Sequence, residues 1–215
     1  MNKPVLYNYF RSSTSVRVRV ALNLKAVDYD YRPVHLVEAE QHSKAYRALN
    51  PEGLVPAFVT SSGTVLTQSM AIIEYLDEEH PEPALLPGDA EGRARVRALA
   101  QIVGCDIHPL NNLRVLNKLR QDYSAESDDI KGWFRHWAGE GFRSLESRLA
   151  EPGTGEFCHG DTPGLADICL FAQTLNNTRF DVDMQPYPII RRIFSACESL
   201  PAFANAAPAM QVDAS

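Results

Sequence analysis

Between residues 81 and 88 the chain carries Pro81, Pro83, Pro87 and Gly88, and no regular element runs easily through such a stretch. It divides the 215 residues into a piece ending at 82 and a piece opening at 88, each long enough to bury a core. The patterns on its two sides differ. Before it, short strand-like runs alternate with helix-like ones. After it, the apolar residues recur at helical spacing throughout. The expected architecture is a small α/β domain over 1–82 followed by an all-α domain over 88–215.

In the first piece Val5-Leu6-Tyr7 and Asp30 to Leu36 read as strands, and Ser43 to Leu49 as a polar helical stretch. Asn50-Pro51-Glu52-Gly53 is a turn signal. Pro56 to Val59 and Thr64 to Thr67 flank Ser61-Ser62-Gly63 and read as a hairpin. Ser69 stands as the N-cap of a helix carrying Met70, Ile73 and Leu76. Residues 16–25 read two ways. Val16, Val18 and Val20 alternate with Arg17 and Arg19, as in a strand, while Ala21, Leu22 and Leu24 favour a helix that Thr14 or Ser15 could cap.

In the second piece Val96, Leu99, Val103, Ile107 and Leu110 repeat at three to four residues, and Pro109 should kink or end that helix. Further helices are expected across Trp133 to Leu149, Leu165 to Leu175 and Ile189 to Cys197. Ala206 to Ser215 shows no pattern and reads as a poorly ordered tail.

Composition narrows the function. A hydrophobic fraction of 45% and a charged fraction of 22% belong to a globular chain rather than a disordered one. A net charge of −6 argues against a general nucleic-acid binder. No apolar run reaches the roughly 20 residues of a membrane helix, and Met1-Asn2-Lys3-Pro4 leads into no signal-peptide pattern, so a cytoplasmic protein is expected. Cys105, Cys158, Cys169 and Cys197 form no CxxC pair and no zinc spacing. They read as small buried hydrophobes, and no metal site is expected.

Three local features carry chemistry. Arg11-Ser12-Ser13-Thr14-Ser15 sets hydroxyls beside an arginine where a helix could start, a setting that suits an anion or a thiolate as well as a plain capped turn. In Leu54-Val55-Pro56-Ala57 a cis Pro56 bond would leave the Val55 backbone free to pair with an extended peptide. An ordinary trans turn is the plainer reading. Gln68-Ser69, at a strand-to-helix junction, could hold a carboxylate on the first helical amides or serve only as a cap.

In this order the features resemble the glutathione transferase family, and within it the zeta class, which includes maleylacetoacetate and maleylpyruvate isomerases. The carriers are RSSTSVRVRVALNLK (Arg11 to Lys25), ALNPEGLVPA (Ala48 to Ala57), TQSMAIIEYL (Thr67 to Leu76), RARVRALAQIVGCDIHPLNNLRVL (Arg93 to Leu116), GDTPGLADICL (Gly160 to Leu170) and FDVDMQPYP (Phe180 to Pro188).

The resemblance implies a thioredoxin-like N-terminal domain that binds glutathione, an all-α domain that completes the substrate site, and a homodimer. It makes residues 16–25 helical and the Val55–Pro56 bond cis. It assigns glutathione to Ser13, Thr14, Ser15, Val55, Pro56, Gln68 and Ser69, with His108 and Asn112 touching it or shaping the pocket. The implied reaction is cis–trans isomerisation of maleylpyruvate or maleylacetoacetate, a small diketo dicarboxylic acid, in the breakdown of aromatic compounds. Glutathione acts as a regenerated cofactor. Ser13 or Thr14 would meet the sulfur, and Arg11, Arg114 and Arg179 would take the substrate's negative charge. Arg17 and Arg19 match the motif but read equally as structural.

Three positions depart from the family. Thr14 stands where cysteine is commonest, a choice shared with maleylpyruvate isomerases. Gly53 replaces a glutamine that can reach glutathione. Gly164 replaces a capping Ser or Thr at a cost of a few tenths of a kcal/mol. A transferase or dehalogenase acting on α-halo acids is the neighbouring reading, and a non-catalytic binding module the more distant one.

Overall fold

The computed structural model describes residues 2–214. Met1 and Ser215 lie outside the described residues. The chain forms two compact units, one made of the residues up to Ala84 together with the segment from Leu200 onward, the other of Leu85–Ser199.

The first unit holds a four-stranded sheet in the order β2-β1-β3-β4, with β1 Val5–Asn8, β2 Asp30–Pro33, β3 Ala57–Val59 and β4 Val65–Thr67. β1 and β2 are parallel, and β1–β3 and β3–β4 are antiparallel. Leu6 and Phe58 face each other across the central pair and are buried. Helix α1, Ser13–Leu24, packs against α3, Ser69–Glu79, and the short α2 spans Lys44–Leu49. The second strand ends at Pro33, three residues before the expected Leu36. There the chain turns: His35 donates its backbone N–H to the Glu40 carboxylate at 2.6 Å and Ala39 takes a left-handed φ of 59°.

Residues 16–25 resolve as helix. The strand-like alternation arises because Arg17 and Arg19 are buried along with Val16, Val18 and Val20, so hydropathy no longer reports which face is inside. Lys25 follows at the helix end with its ammonium enclosed. It donates to the Asp77 carboxylate and to the His80 and Pro83 carbonyls, each at 2.6 Å, which ties α1 to the end of α3 and the linker.

The C-terminal segment corrects two expectations. It is not a loose tail, and it does not belong to the helical unit. Helix α9, Pro201–Ala204, packs on α1, and a single 3-10 turn follows at Pro208–Met210. Arg19 Nε and Nη2 donate to the Ala206 carbonyl at 3.1 and 2.9 Å. Asp213 accepts from the Phe10 N–H at 3.2 Å and from the Tyr31 hydroxyl. These bonds use backbone carbonyls and one carboxylate, so no apolar periodicity announces them.

The second unit contains α4 Ala90–Gln101, α5 Leu113–Tyr123, α6 Ser127–Leu149, α7 Leu165–Arg179 and α8 Pro188–Glu198. The run expected across Val96 to Leu110 is α4 followed by a π-helical segment, Ile102–Ile107, which ends just before Pro109. Helix α7 is the core of this unit, buried along most of its length and packed against α4 and α8. The buried Asp167 carboxylate accepts the N–H groups of Gly164 and Cys158 at 2.9 and 2.8 Å. A Cβ at Gly164 would lie 2.7 Å from the Leu85 carbonyl oxygen, so glycine is there for space rather than for capping. Among the described residues no helix is long and apolar enough to cross a membrane.

Candidate active site

The hydroxyl run after β1 divides its work. Ser12 caps α1: its Oγ accepts from the Ser15 N–H at 3.3 Å and its carbonyl accepts from the Val16 N–H at 2.9 Å. Thus Ser12, not Thr14 or Ser15, is the cap. The buried Ser15 Oγ reaches back to accept from the Tyr9 N–H at 3.4 Å. Ser13 is the first helical residue and is buried. The Thr14 hydroxyl donates to the Val55 carbonyl at 3.0 Å. Its single proton is thereby used, so in the 2.8 Å contact between Ser12 and Thr14 the donor is Ser12.

Arg11 is held by aromatics that sequence reading did not single out. Its Nη2 and Nε donate to the Tyr9 hydroxyl at 2.8 and 3.3 Å, and its guanidinium carbon lies 4.9 Å from the Phe10 ring centre.

The Val55–Pro56 bond is cis. The loop before it is fastened at Leu54, whose carbonyl accepts from the Tyr46 hydroxyl at 2.6 Å and the Asn50 amide at 2.8 Å. Gly53 has φ +62°, and a Cβ there would sit 3.2 Å from the Gln41 carbonyl oxygen. Glu52 is a second residue the sequence reading left inside a turn. Its carboxylate accepts from Gln68 Nε2 at 2.8 Å and from the Thr67 hydroxyl at 3.3 Å.

At the head of α3 the expected cap is corrected by one residue. Gln68 is the cap, in the left-handed region at φ 68°, and Ser69 opens the helix. The Ser69 hydroxyl accepts from Arg17 Nη1 at 3.4 Å. Two groups of residues therefore lie on one set of elements in the first unit: Arg11 to Ser15 with Val55 and Pro56, and Gln68 with Ser69.

The remaining expected residues belong to the second unit. Asn112 caps α5 by accepting from the Arg114 N–H at 3.1 Å, and its amide meets His108 Nε2 at 3.3 Å. Arg114 is exposed in the first turn of α5. Arg179 is exposed at the end of α7, its guanidinium 5.3 Å from the Phe180 ring centre. Within this unit the structure gathers His108, Asn112 and Arg114 and leaves Arg179 on a different helix.

The cysteines divide too. Cys158, Cys169 and Cys197 are buried, as expected, whereas Cys105 is exposed. Burial pushes the Cys158 and Cys197 thiols up, so both stay protonated and neither offers a thiolate near neutral pH. A separate hollow of about 370 Å³ in the first unit is lined by Tyr7, Val34, Tyr46 and Leu49, among others, and by none of the expected site residues.

The family model for the glutathione S-transferase N-terminal domain matches residues 6–84. A maleylpyruvate isomerase from Ralstonia sp is 53% identical over 209 residues, covering 97% of this chain and 98% of that one. The holo structure of a maleylpyruvate isomerase, described as a bacterial zeta-class glutathione S-transferase, superposes with a TM-score of 0.96 at 52% identity, covering 98% and 100% of the two chains. A maleylacetoacetate isomerase from Methylobacterium extorquens AM1, solved with bound malonate and glutathione, superposes with a TM-score of 0.95 at 39% identity, covering 98% and 99%. Sequence and fold agree over both units, and the chain belongs to the zeta class of the glutathione transferase family.

Proposed function

We propose that this chain is a glutathione-dependent cis–trans isomerase that converts maleylpyruvate or maleylacetoacetate to the fumaryl isomer. The observation that carries the reading is full-length identity of 53% to an enzyme of that name, with Arg11 and the hydroxyl run heading α1. The donor set fits glutathione: hydroxyls and a helix N-terminus for a sulfur anion, and a second helix N-terminus with Gln68 and Ser69 for a carboxylate.

When bound, glutathione would supply a sulfur nucleophile for reversible addition to the cis double bond, which allows rotation before elimination. The chain's own residues do the rest. The positive end of α1 and the Ser13 hydroxyl favour an ionised sulfur, because both meet negative charge. Thr14, with its proton on the Val55 carbonyl, sets the spacing between α1 and the Val55 backbone instead of meeting the sulfur. Arg11, oriented by Tyr9, takes negative charge on the substrate carboxylate and on the enolate oxygen as it develops. Arg114 and Arg179, in the second unit, are exposed cations of the kind that can grip a carboxylate. Ser15, Val55 and Pro56 frame the peptide, and Gln68 and Ser69 hold its γ-glutamyl carboxylate. His108 and Asn112 form a polar pair within the second unit. The reading extends to a homodimer, a cytoplasmic setting and a role in aromatic catabolism, each supported by the family resemblance.

The test is the rate of absorbance loss for maleylpyruvate and maleylacetoacetate in parallel, with and without glutathione. A glutathione-dependent rate far higher on one of them supports the reading and names the substrate. Glutathione binding with no rate on either overturns it in favour of a transferase or dehalogenase. Absence of glutathione binding leaves only a binding module.

A further inference from the structure

Arg17 is 1% exposed, yet its guanidinium is only partly used. Nη1 makes one long bond, 3.4 Å, to the Ser69 hydroxyl. Nε and Nη2 are enclosed and meet no hydrogen-bond acceptor among the described residues. A buried cation left in this state is costly, because it has given up water without gaining a counter-charge. The helix offers its own control. Arg19, two residues on and equally buried, is saturated by Asn8 Oδ1 at 2.8 Å, the Phe10 carbonyl at 2.8 Å and the Ala206 carbonyl. The same helix therefore can pair a buried guanidinium, and at Arg17 it does not.

The position of the unmet charge is specific. Ser69 opens α3, where the first amides and the helix dipole already favour an anion. A cation behind that end repels the dipole unless an anion lies in front of it. We infer that Arg17 is the buried counter-charge for a carboxylate seated at the head of α3, acting through the Ser69 hydroxyl. On the functional reading above, that carboxylate is the one on the γ-glutamyl group of glutathione. With its solvent-facing side enclosed, the guanidinium does not reach the ligand. By donating to Ser69 Oγ it turns the Ser69 proton outward, and its charge acts across that short relay. Arg17 is a positioning residue, and the unpaired charge it leaves in the free protein is compensated when the carboxylate binds.

Two readouts separate this from a merely structural role. One is calorimetric binding of glutathione and of 4-aminobutyryl-cysteinylglycine, the same peptide without the α-carboxylate. The other is the thermal midpoint of the ligand-free protein. Wild type should prefer glutathione by about tenfold to a hundredfold, the range of a charged hydrogen bond. In Arg17→Met the analogue should bind as before and glutathione should fall toward it, while the free protein melts at the same temperature or higher. Arg17→Lys should restore part of the preference. An Arg17→Met variant that keeps the wild-type preference overturns the inference alone. So does one that melts lower and weakens both peptides equally. If Arg17→Met does not fold, the stability claim is contradicted, and an Arg17→Lys protein with no preference between the peptides contradicts the remainder. A wild type that binds neither peptide overturns the functional reading together with this one.

Discussion

Two arginines on one helix face opposite situations. Arg19 lies in a mesh of carbonyl oxygens that joins the end of β1 to the C-terminal segment, and every group there is paired. Arg17 lies under the head of α3 with two N–H groups unmet. The first arrangement is what stability selects, since buried polar groups are kept only when bonded. The second is what a ligand site looks like before its ligand arrives. The contrast separates α1 into a side that holds the fold and a side that waits for charge.

The sharpest way to break the contrast is to remove the paired arginine. Arg19→Met leaves the Asn8, Phe10 and Ala206 oxygens without their donors, and should destabilise by about 3 kcal/mol or more in thermal or denaturant unfolding, at about 1–3 kcal/mol for each unmet acceptor. An Arg19→Met protein as stable as wild type would erase the distinction from Arg17.

The next effect is on chemistry. Arg11→Ala should reduce turnover roughly 10²-fold or more while glutathione affinity stays near wild type, because the proposed function assigns the Arg11 guanidinium to substrate charge and not to the peptide. Weakened glutathione binding at unchanged turnover would move Arg11 to the peptide side of the site.

Smaller again is the loss of Asp213, which fastens the C-terminal segment to the loop that carries Arg11. Asp213→Ala leaves the Phe10 N–H and the Tyr31 hydroxyl without their acceptor and should lower stability by about 1–3 kcal/mol. Because Phe10 precedes Arg11, turnover should drop more than glutathione affinity. Equal loss in both would make the segment a general brace.

The smallest effect is on alkaline stability. Burial, then the bond to Asp213, raises the Tyr31 phenol above its ordinary value of 10.0, and burial pushes Tyr46 up to about 12. Both groups hold their protons more tightly folded than unfolded. Their contribution is complete below pH 10 and is lost above it, as the unfolded chain ionises first. Melting temperature should therefore fall with pH above 10, and less steeply in Tyr31→Phe. Identical alkaline slopes would remove Tyr31 from that account.

What the sequence revealed of all this depended on which residues were buried. The linker at 81–88, the 56–67 hairpin and α4, α6, α7 and α8 of the second unit were legible because their apolar and turn residues follow the usual periods, whereas α5, Leu113–Tyr123, with Leu116 its one buried residue, was missed. Helix α1 was ambiguous for a physical reason: burying Arg17 and Arg19 destroys the polar face on which a helical pattern depends. The C-terminal segment was misread because its anchors are an Asp and a backbone carbonyl, which leave no trace in hydropathy. At the candidate site, the motif order singled out Ser13, Thr14, Val55, Gln68 and Ser69, and the fold places them on the elements of the first unit. The residues that hold them in place, Tyr9 for Arg11 and Glu52 for Gln68, were invisible because only the fold brings them near.

The account rests on the head of α1 being built for a sulfur anion. Its most direct test is the pH titration of the glutathione thiol in the complex, followed by thiolate absorbance. The predicted result is a pKa well below the roughly 8.5 of an ordinary thiol, rising back toward it in Ser13→Ala. Bound glutathione that titrates like free glutathione in both proteins would contradict the claim.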